Sequence, residues 1–440
     1  MLVQSIPLLV LLPLLIANIC VKKRFFCTSS LVLFYLLCSF SGAVFLCLRP
    51  RTGEMFTDCG AMVFLSVCIF FLCLPSLFYR DGDRMSPNSL RSLDSEQLVP
   101  AAKILAVLTL SAFVYFAVDA IPSLLGFLGG GLSRHDFRQI VSEEEGSLFR
   151  RVMSVFNAFS YCAIFLGIYL MGFSKKHGGL VVALLVGGAS SLMSTLKMVA
   201  RGGVVEFLFF LFVVITVFMP QMSQRARAML RKCAILAMVI VLVPFMAITA
   251  KRFFGSEAES EESLGYTIAS YFCTGPYSFN ATYVVASEYD MELLGGLSTF
   301  PAVAYIRDYL MGSSVVETGQ IIANEQKETG RPEFKELCGA FSGEFKTVVG
   351  TFAWDFPLPC VALIFLVLGI SFCFLFVRSG DALSSRLLGT IYFFLLMMSP
   401  IGFAYADRHR NIILLFLIIG VAYLSRLERG CAPCADRKSP

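Results

Sequence analysis

The sequence predicts an all-α polytopic membrane protein of about 11–12 transmembrane helices, and three observations lead to this prediction. Of its 440 residues, 57% are apolar and only 15% are charged, and the mean hydropathy is +0.75. Soluble domains are roughly 45–50% apolar and about 25% charged, so the composition excludes an ordinary soluble enzyme. The apolar residues form runs of about 20, the length of a bilayer-crossing helix. The basic residues gather between alternate runs, which indicates a fixed orientation in the membrane.

Eleven apolar windows follow one another along the chain, and each predicts one membrane-spanning helix. The windows at 101–122 and 347–376 continue into apolar extensions, so each has room for a short interfacial helix or an extra crossing. The last window is short, and a twelfth span is an alternative. The windows are 2–20, 29–48, 59–79, 101–122, 152–173, 178–198, 203–219, 233–250, 347–376, 386–405 and 411–424.

The distribution of Lys and Arg in the segments between the windows predicts the orientation of the chain. One set of alternate segments, which begins with Lys22–Arg24 and includes the C-terminal tail, carries 18 basic residues. The other set of short segments carries nine. Because cytoplasmic segments are enriched in Lys and Arg, we expect the N-terminus outside and the C-terminus inside.

These assignments divide the chain into four parts. We expect transmembrane helices 1–8 in residues 1–250, a large outer loop at 251–346, helices 9–11 in 347–424 and a cytoplasmic tail at 425–440. The loop carries 14 acidic and 7 basic residues together with many aromatic ones. Loops of this length are usually functional or disordered. We expect this one to contain several short helices that pack against the outer face.

Several classes of chemistry lack their signature in this sequence. It has neither the GxxxxGK[ST] loop of ATP-driven pumps nor the HExxH motif of zinc proteases. Most of its 15 cysteines lie in the apolar windows, where Cys often acts as a small buried apolar residue. Cys273 and Cys338 share the outer loop and are candidates for one disulfide, whereas Cys431 and Cys434 form a lone CxxC pair. We therefore expect no metal and no cofactor.

Ionisable residues inside the apolar windows are few. Lys103 and Lys197 lie near window ends, from which a long side chain can reach the interface. Asp119 and Glu206 come closest to the middle of their windows, and Asp355 lies near the start of its own. Proton-coupled carriers usually place charges near mid-bilayer, so this pattern favours chemistry at the outer surface.

All nine basic residues of the short outer segments are arginine. The planar guanidinium pairs bidentately with phosphate and carboxylate, so an arginine rim predicts an anion site. As an alternative, individual arginines anchor helix ends or pair with nearby acids. Arg201 is the strongest candidate for such an anion site, because it stands between two apolar runs with almost no loop and is followed by Gly202 and Gly203. The candidate anion-binding residues are Arg201, Lys251, Arg252, Arg307, Arg408 and Arg410.

Four features make the chain resemble a known family. They are the large outer loop in the C-terminal half and three sequence stretches: Ala200–Gly203 before an apolar run, Gly295–Pro301 with the preceding Tyr271–Val285, and Thr347–Phe356. Together they resemble the Wzy-type O-antigen polymerases, which join oligosaccharide repeat units. The arrangement of helices and loops is similar over most of the chain, whereas the sequence motifs are similar only over about residues 200–375. The family often has Asp-Phe-Gly followed by Gly, whereas Pro357 and Pro359 stand at the glycine positions here.

The resemblance implies a GT-C-like fold and a glycosyltransferase of the bacterial inner membrane whose active face is periplasmic. Its donor and acceptor would be repeat units linked to undecaprenyl diphosphate, with membrane lipids and a chain-length regulator protein as further partners and no nucleic acid. Outer arginines would bind the diphosphates, and a carboxylate would take the proton of the acceptor hydroxyl. Tyr271 and Tyr277 would stack on sugars, or else pack the loop onto the outer face. The candidate bases are Asp355, Asp308, Glu288 and Asp290.

Three other functions remain as alternatives. An O-antigen ligase would use a histidine in the large outer loop, yet the chain's three histidines, His135, His177 and His409, all lie elsewhere. A flippase or transporter for lipid-linked glycans would place charges in a membrane cavity and would favour symmetry between the halves. The last alternative is a channel-like or purely structural membrane protein.

Overall fold

The computed structural model describes most of the chain, and within the described residues it contains helices and turns and no strand. The described ranges are 2–22, 28–48, 58–79, 95–129, 148–174, 176–197, 202–254, 264–288, 293–296, 298–302, 347–378, 382–405 and 408–431.

Fifteen α-helices follow one another in these ranges, and every one of the eleven apolar windows overlaps a helix. They are α1 Leu2–Lys22, α2 Thr28–Leu48, α3 Cys59–Cys73, α4 Ser95–Leu128, α5 Leu148–Asn157, α6 Ser160–Phe173, α7 Gly178–Gly188, α8 Ser190–Lys197, α9 Gly202–Phe218, α10 Gln224–Phe254, α11 Leu264–Glu288, α12 Val348–Asp355, α13 Leu358–Arg378, α14 Leu383–Met398 and α15 Arg408–Cys431.

Eight segments of the described chain are long and apolar enough to cross a membrane, which confirms the prediction of a multi-pass helical protein. The other three windows coincide with the shorter apolar stretches of α1, α2 and α14. The eight segments are Cys59–Leu77, Glu96–Phe127, Leu148–Phe173, Gly178–Lys197, Gly202–Gln221, Gln224–Ala247, Leu358–Arg378 and His409–Arg429.

The window predicted at 347–376 is not one helix, because the chain breaks at Phe356 and Pro357. Proline has no N–H to donate and disfavours helical geometry in the residue before it. Phe356 accordingly has an extended backbone, with φ −134° and ψ 148°. The result is a buried helix of 8 residues, α12, followed by the apolar helix α13.

By contrast, the extended window at 101–122 forms the single helix α4 of 34 residues. At 1.5 Å per residue such a helix is about 51 Å long, well beyond the roughly 30 Å of a hydrocarbon core. The extension is therefore a continuation of one helix, with no separate interfacial helix.

The chain divides into two compact units. Unit 1 comprises Met1–Arg80, Glu262–Gly380 and Tyr392–Asn411, and unit 2 comprises Asp81–Glu261, Asp381–Ile391 and Ile412–Pro440. The predicted outer loop contributes to both, since α10 continues to Phe254 in unit 2 and α11 belongs to unit 1. α11 has 25 residues, so the expectation of several short helices is wrong for this part of the loop. Residues 303–346 lie outside the described ranges.

In unit 1, α3 and α13 pack side by side and run in the same direction. A Cβ on Gly369 would lie 2.5 Å from the Phe71 carbonyl oxygen, so only glycine allows this approach of the two backbones. About two turns further along both chains, the rings of Tyr79 and Phe376 meet edge to face at 5.2 Å. Because the two contacts are in register, α3 and α13 begin at the same end of the unit. We call it the Asp355 end.

Unit 2 is built around α4. A Cβ on Gly187 of α7 would overlap the hydroxyl oxygen of Thr109 on α4, so these helices touch closely. Phe116 of α4 packs with Met153 of α5 in a small apolar cluster. The helices α7 and α8 are separated by a break at Ala189, and α5 and α6 by a break after Asn157.

Candidate functional site

A short segment, residues 293–296 and 298–302, is held against the end of α12 by Asp355. The Asp355 Oδ1 atom accepts the Ser298 N–H at 2.9 Å, and Oδ2 accepts the Thr299 N–H at 2.6 Å. The main chain adds two bonds, from the Leu294 N–H to the Trp354 carbonyl at 3.0 Å and from the Gly295 N–H to the Asp355 carbonyl at 3.2 Å. The structure therefore joins two of the stretches that carry the family resemblance.

The local sequence explains why Asp355 faces this segment. Thr347 starts α12 by accepting the Gly350 N–H at 3.0 Å, and Pro357 prevents the helix from continuing. Asp355 is therefore the last residue of the helix, where the macrodipole disfavours a negative charge. The backbone N–H groups of the segment provide the donors that a buried carboxylate needs. The chain reaches them through Gly295 and Gly296, whose φ angles of 60° and 97° favour glycine.

Burial raises the pKa of the Asp355 carboxyl above its ordinary value. The hydrogen bonds from Ser298 and Thr299 favour the ionised form and oppose that shift. The side chain is 1% exposed, and each of its oxygens already accepts a backbone hydrogen bond. Asp355 thus fixes the segment at the end of α12 through both of its carboxylate oxygens.

Asn411 holds the same segment from the other side. Its Oδ1 accepts the Ala302 N–H at 3.1 Å, and its Nδ2 donates to the carbonyls of Thr299, at 3.2 Å, and Tyr405. The Phe300 ring completes the contact by packing edge-on against Phe352 and Phe403, with centroid distances of 6.4 and 6.1 Å. The segment is therefore hydrogen-bonded to Asp355 on one side and to Asn411 on the other, and its Phe300 ring packs against two aromatic rings.

This arrangement brings the N-terminus of α15 to the Asp355 end. Asn411 lies in the first turn of α15, directly after Arg408, His409 and Arg410. The N–H groups of a first helical turn and the positive end of the helix dipole favour anions. Arg410 is half-buried there. Two of the predicted anion-binding residues and one predicted base therefore belong to one end of unit 1.

The other predicted site residues lie on other helices or outside the described ranges. Glu288 ends α11 and is exposed. Lys251 and Arg252 lie in the last turn of α10, in unit 2, and Tyr271 and Tyr277 lie in α11. The side chains of these four residues and of Arg408 are outside the described part of the structure. Four residues are outside it altogether: Arg201, Arg307, Asp290 and Asp308.

An ion pair in unit 2 corrects the expectation for Lys197. Its side chain is only 6% exposed, and Nζ donates to Asp119 Oδ2 at 2.6 Å instead of reaching out to the interface. The ammonium also lies 6.0 Å from the centre of the Tyr115 ring. The sequence showed both charges, but their pairing across 78 positions requires the packing of α4 against α8.

Gly203, the second glycine after Arg201, has a packing role. A Cβ on Gly203 would lie 2.4 Å from the Thr195 hydroxyl oxygen, so the close approach that this glycine permits is between α8 and α9. Nothing described lies within 4 Å of a Cβ on Gly202.

Within the described ranges, no group of three or more His, Cys, Asp or Glu side chains could hold a metal ion. Cys273 and Cys338, the candidates for a disulfide, have side chains outside the described residues. Comparison with protein-family models, with curated proteins and with solved structures finds no match to this chain.

Proposed function

We propose that this membrane protein is a glycosyltransferase that polymerises oligosaccharide repeat units linked to undecaprenyl diphosphate. It would act on the periplasmic face of the bacterial inner membrane, in the synthesis of O-antigen or of a capsular or exopolysaccharide, on a GT-C-like fold. The observation that supports this most is the bonding of Asp355 to Ser298 and Thr299. These bonds join two motif stretches of the resemblance, and Asn411 bonds the same segment to the N-terminus of α15, which carries arginines.

The chemistry of the reaction agrees with the charges at this end of unit 1. When the growing glycan leaves its lipid, the bond between the anomeric carbon and the diphosphate oxygen breaks, and negative charge develops on that oxygen. Preoriented cations and helix N–H groups stabilise such a charge. We assign this role to Arg408 and Arg410, and we retain Arg201, Lys251, Arg252 and Arg307 as further proposed diphosphate ligands.

The decisive experiment is polymerisation by the purified protein in lipid nanodiscs supplied with one lipid-diphosphate-linked repeat unit. A ladder of oligosaccharides, with release of one lipid diphosphate per bond formed, is the expected product. The absence of oligomers from a folded, monodisperse preparation would exclude the proposal. Transfer only when lipid A core is added as acceptor would identify a ligase instead.

Transport of lipid-linked glycans is the second candidate, and one observation favours it. The Lys197–Asp119 pair lies in two of the segments that are long enough to cross a membrane, where ionisable residues often mark a transport path. Reconstitution into vesicles distinguishes the two functions. A flippase moves labelled lipid-linked units between leaflets without lengthening them, whereas a polymerase lengthens them.

A further inference from the structure

The helix α5 is separated from α6 by a break in the helix. The segment Leu148–Phe173 is long and apolar enough to cross a membrane, but its helix is interrupted after Asn157. There the Phe159 N–H donates to the carbonyl of Phe156, three positions back, at 3.2 Å. The range 158–174 alone has about 17 residues, the lower limit for a crossing helix. This part of the chain can therefore cross the membrane without α5.

α5 crosses α4 instead of running alongside it. The ring of Phe149 packs edge-on against Tyr115 of α4, with the ring centroids 5.4 Å apart. One turn later Met153 packs with Phe116, and Phe156 lies against the same cluster. Two turns of α5, about 10 Å of its length, thus meet a single turn of α4. Helices lying side by side would spread the same contacts over two turns of each.

The crossing of α5 over α4 lies near one boundary of the membrane. The ion pair between Lys176 and Glu96 marks the opposite boundary, because its side chains are 80% and 70% exposed and charges of that kind stay out of the hydrocarbon. From Glu96 to Tyr115, α4 rises by 19 residues or about 29 Å, close to the roughly 30 Å of a hydrocarbon core. The Lys197–Asp119 ion pair lies one turn beyond the crossing. α5 therefore lies where the acyl chains meet the lipid headgroups.

The two free sides of α5 differ in character. Four apolar side chains are between 38% and 77% exposed, namely Leu148, Phe149, Val152 and Val155. Because a helix turns by about 100° per residue, these four lie on one side of α5, whereas Arg150, Arg151 and Ser154 lie on the opposite side. The buried residues Met153 and Asn157 lie between the two sides and face the rest of unit 2. Helices with this pattern lie in the membrane interface.

We infer that α5 lies along the membrane surface and binds the phosphate groups of the surrounding lipids. Its exposed apolar side chains contact the ends of the acyl chains next to the headgroups. The exposed guanidinium of Arg151 pairs with lipid phosphate, to which its planar fork is suited. Residues 158–174 alone then cross the membrane. The inference is independent of the proposed glycosyl transfer, because it rests on the contacts between α4 and α5.

The depth of the two ends of α5 in the bilayer tests this placement. The chain has one tryptophan, the fully buried Trp354, so the emission of the parent protein is subtracted from that of Leu148→Trp and of Val155→Trp. In vesicles of phosphatidylcholine brominated at a known acyl carbon, quenching reports the depth of each introduced tryptophan. Both positions lie on one side of α5, so we expect their depths to agree within about 3 Å, twice the rise per residue.

α4 provides the matched control. Val107→Trp and Val114→Trp have the same spacing and are also exposed, and their depths should differ by about 10 Å because α4 crosses the membrane. The same difference of about 10 Å between Leu148→Trp and Val155→Trp would overturn the inference, since α5 would then continue the crossing of α6. If one of these two variants does not fold, Val152→Trp replaces it, and the difference that overturns the inference becomes about 5 Å.

The contact with phosphate predicts a dependence on lipid charge. The thermal midpoint of the wild type in nanodiscs should rise when phosphatidylglycerol replaces phosphatidylcholine, because the anionic surface attracts nearby basic side chains. Arg151→Gln should reduce this rise, whereas Arg151→Lys, which keeps the charge, should retain most of it. Sodium phosphate added to phosphatidylcholine nanodiscs should not reproduce the rise, since the binding partner is the lipid surface. An equal rise in Arg151→Gln and the wild type would contradict the phosphate contact.

Discussion

Units 1 and 2 each keep a carboxylate in an apolar surrounding, and they do so by different means. Asp355 of unit 1 is bound by two backbone N–H groups of a segment about 56 positions earlier in the chain. Asp119 of unit 2 is bound by the ammonium of Lys197 and remains about one third exposed. The first arrangement fixes a stretch of main chain, whereas the second joins two helices by their side chains. Substituting each carboxylate should therefore have different consequences.

The largest effect is expected from Asp355→Ala. The variant leaves the Ser298 and Thr299 N–H groups buried without an acceptor, and each such group costs about 1–3 kcal/mol. We expect a lower thermal midpoint in detergent and a complete loss of the polymer ladder, because the segment would no longer be fixed at the end of α12. Asp355→Asn is the control. It retains one carbonyl acceptor and should lose less stability. Equal midpoints for Asp355→Ala and the wild type would contradict this role.

The next effect is expected from Lys197→Met. Removing the ammonium leaves Asp119 without its cation, and since that carboxylate is partly exposed, the loss should be about 1–3 kcal/mol. The double variant with Asp119→Asn removes the uncompensated charge and should regain part of the midpoint. A double-mutant cycle measures the coupling between the two residues. Additive single effects would show that the pair does not stabilise unit 2.

The sequence predicted the helices better than their ends. Runs of about 20 apolar residues predict membrane helices reliably because every backbone polar group must be bonded within the segment. Hydropathy alone does not register proline, so the window at 347–376 left room for a short extra helix but did not locate its end at Pro357. The length of α11 was missed because its mixed polar and aromatic composition suggested a loop.

The site was predicted in part. The motif stretches pointed to Asp355 and to residues 295–301, and the structure joins them by hydrogen bonds that position the segment, while the role of Asp355 in proton transfer stays a prediction. Asn411 was missed because it stands at the edge of an apolar window with no motif around it. Its partners Thr299 and Ala302 lie more than 100 positions earlier in the chain, and only the folded structure brings them together.

A smaller loss of stability is expected from Asn18→Ala, at the end of unit 1 opposite the Asp355 end. Asn18 donates to Ser76 Oγ at 3.2 Å and accepts from Ser30 Oγ at 3.0 Å, so it links α1, α2 and the turn after α3. All three side chains are buried. Losing two neutral hydrogen bonds should cost about 1–3 kcal/mol of stability, while polymerisation by the folded fraction stays unchanged. A changed acceptor KM in this variant would show that the two ends are coupled.

The smallest effect is a pH dependence that belongs to Asp355. Its folded-state pKa lies above the ordinary value of 3.8, so at pH values between the two the folded protein holds more protons than the unfolded chain. By linkage, the contribution of this group to stability is fully present below 3.8 and is lost as the pH rises through the folded pKa. The midpoint of the wild type minus that of Asp355→Asn should therefore rise when the pH is lowered from neutral toward that value. A difference that falls instead would mean that the N–H groups of Ser298 and Thr299 outweigh burial, and that the carboxylate is held as an anion.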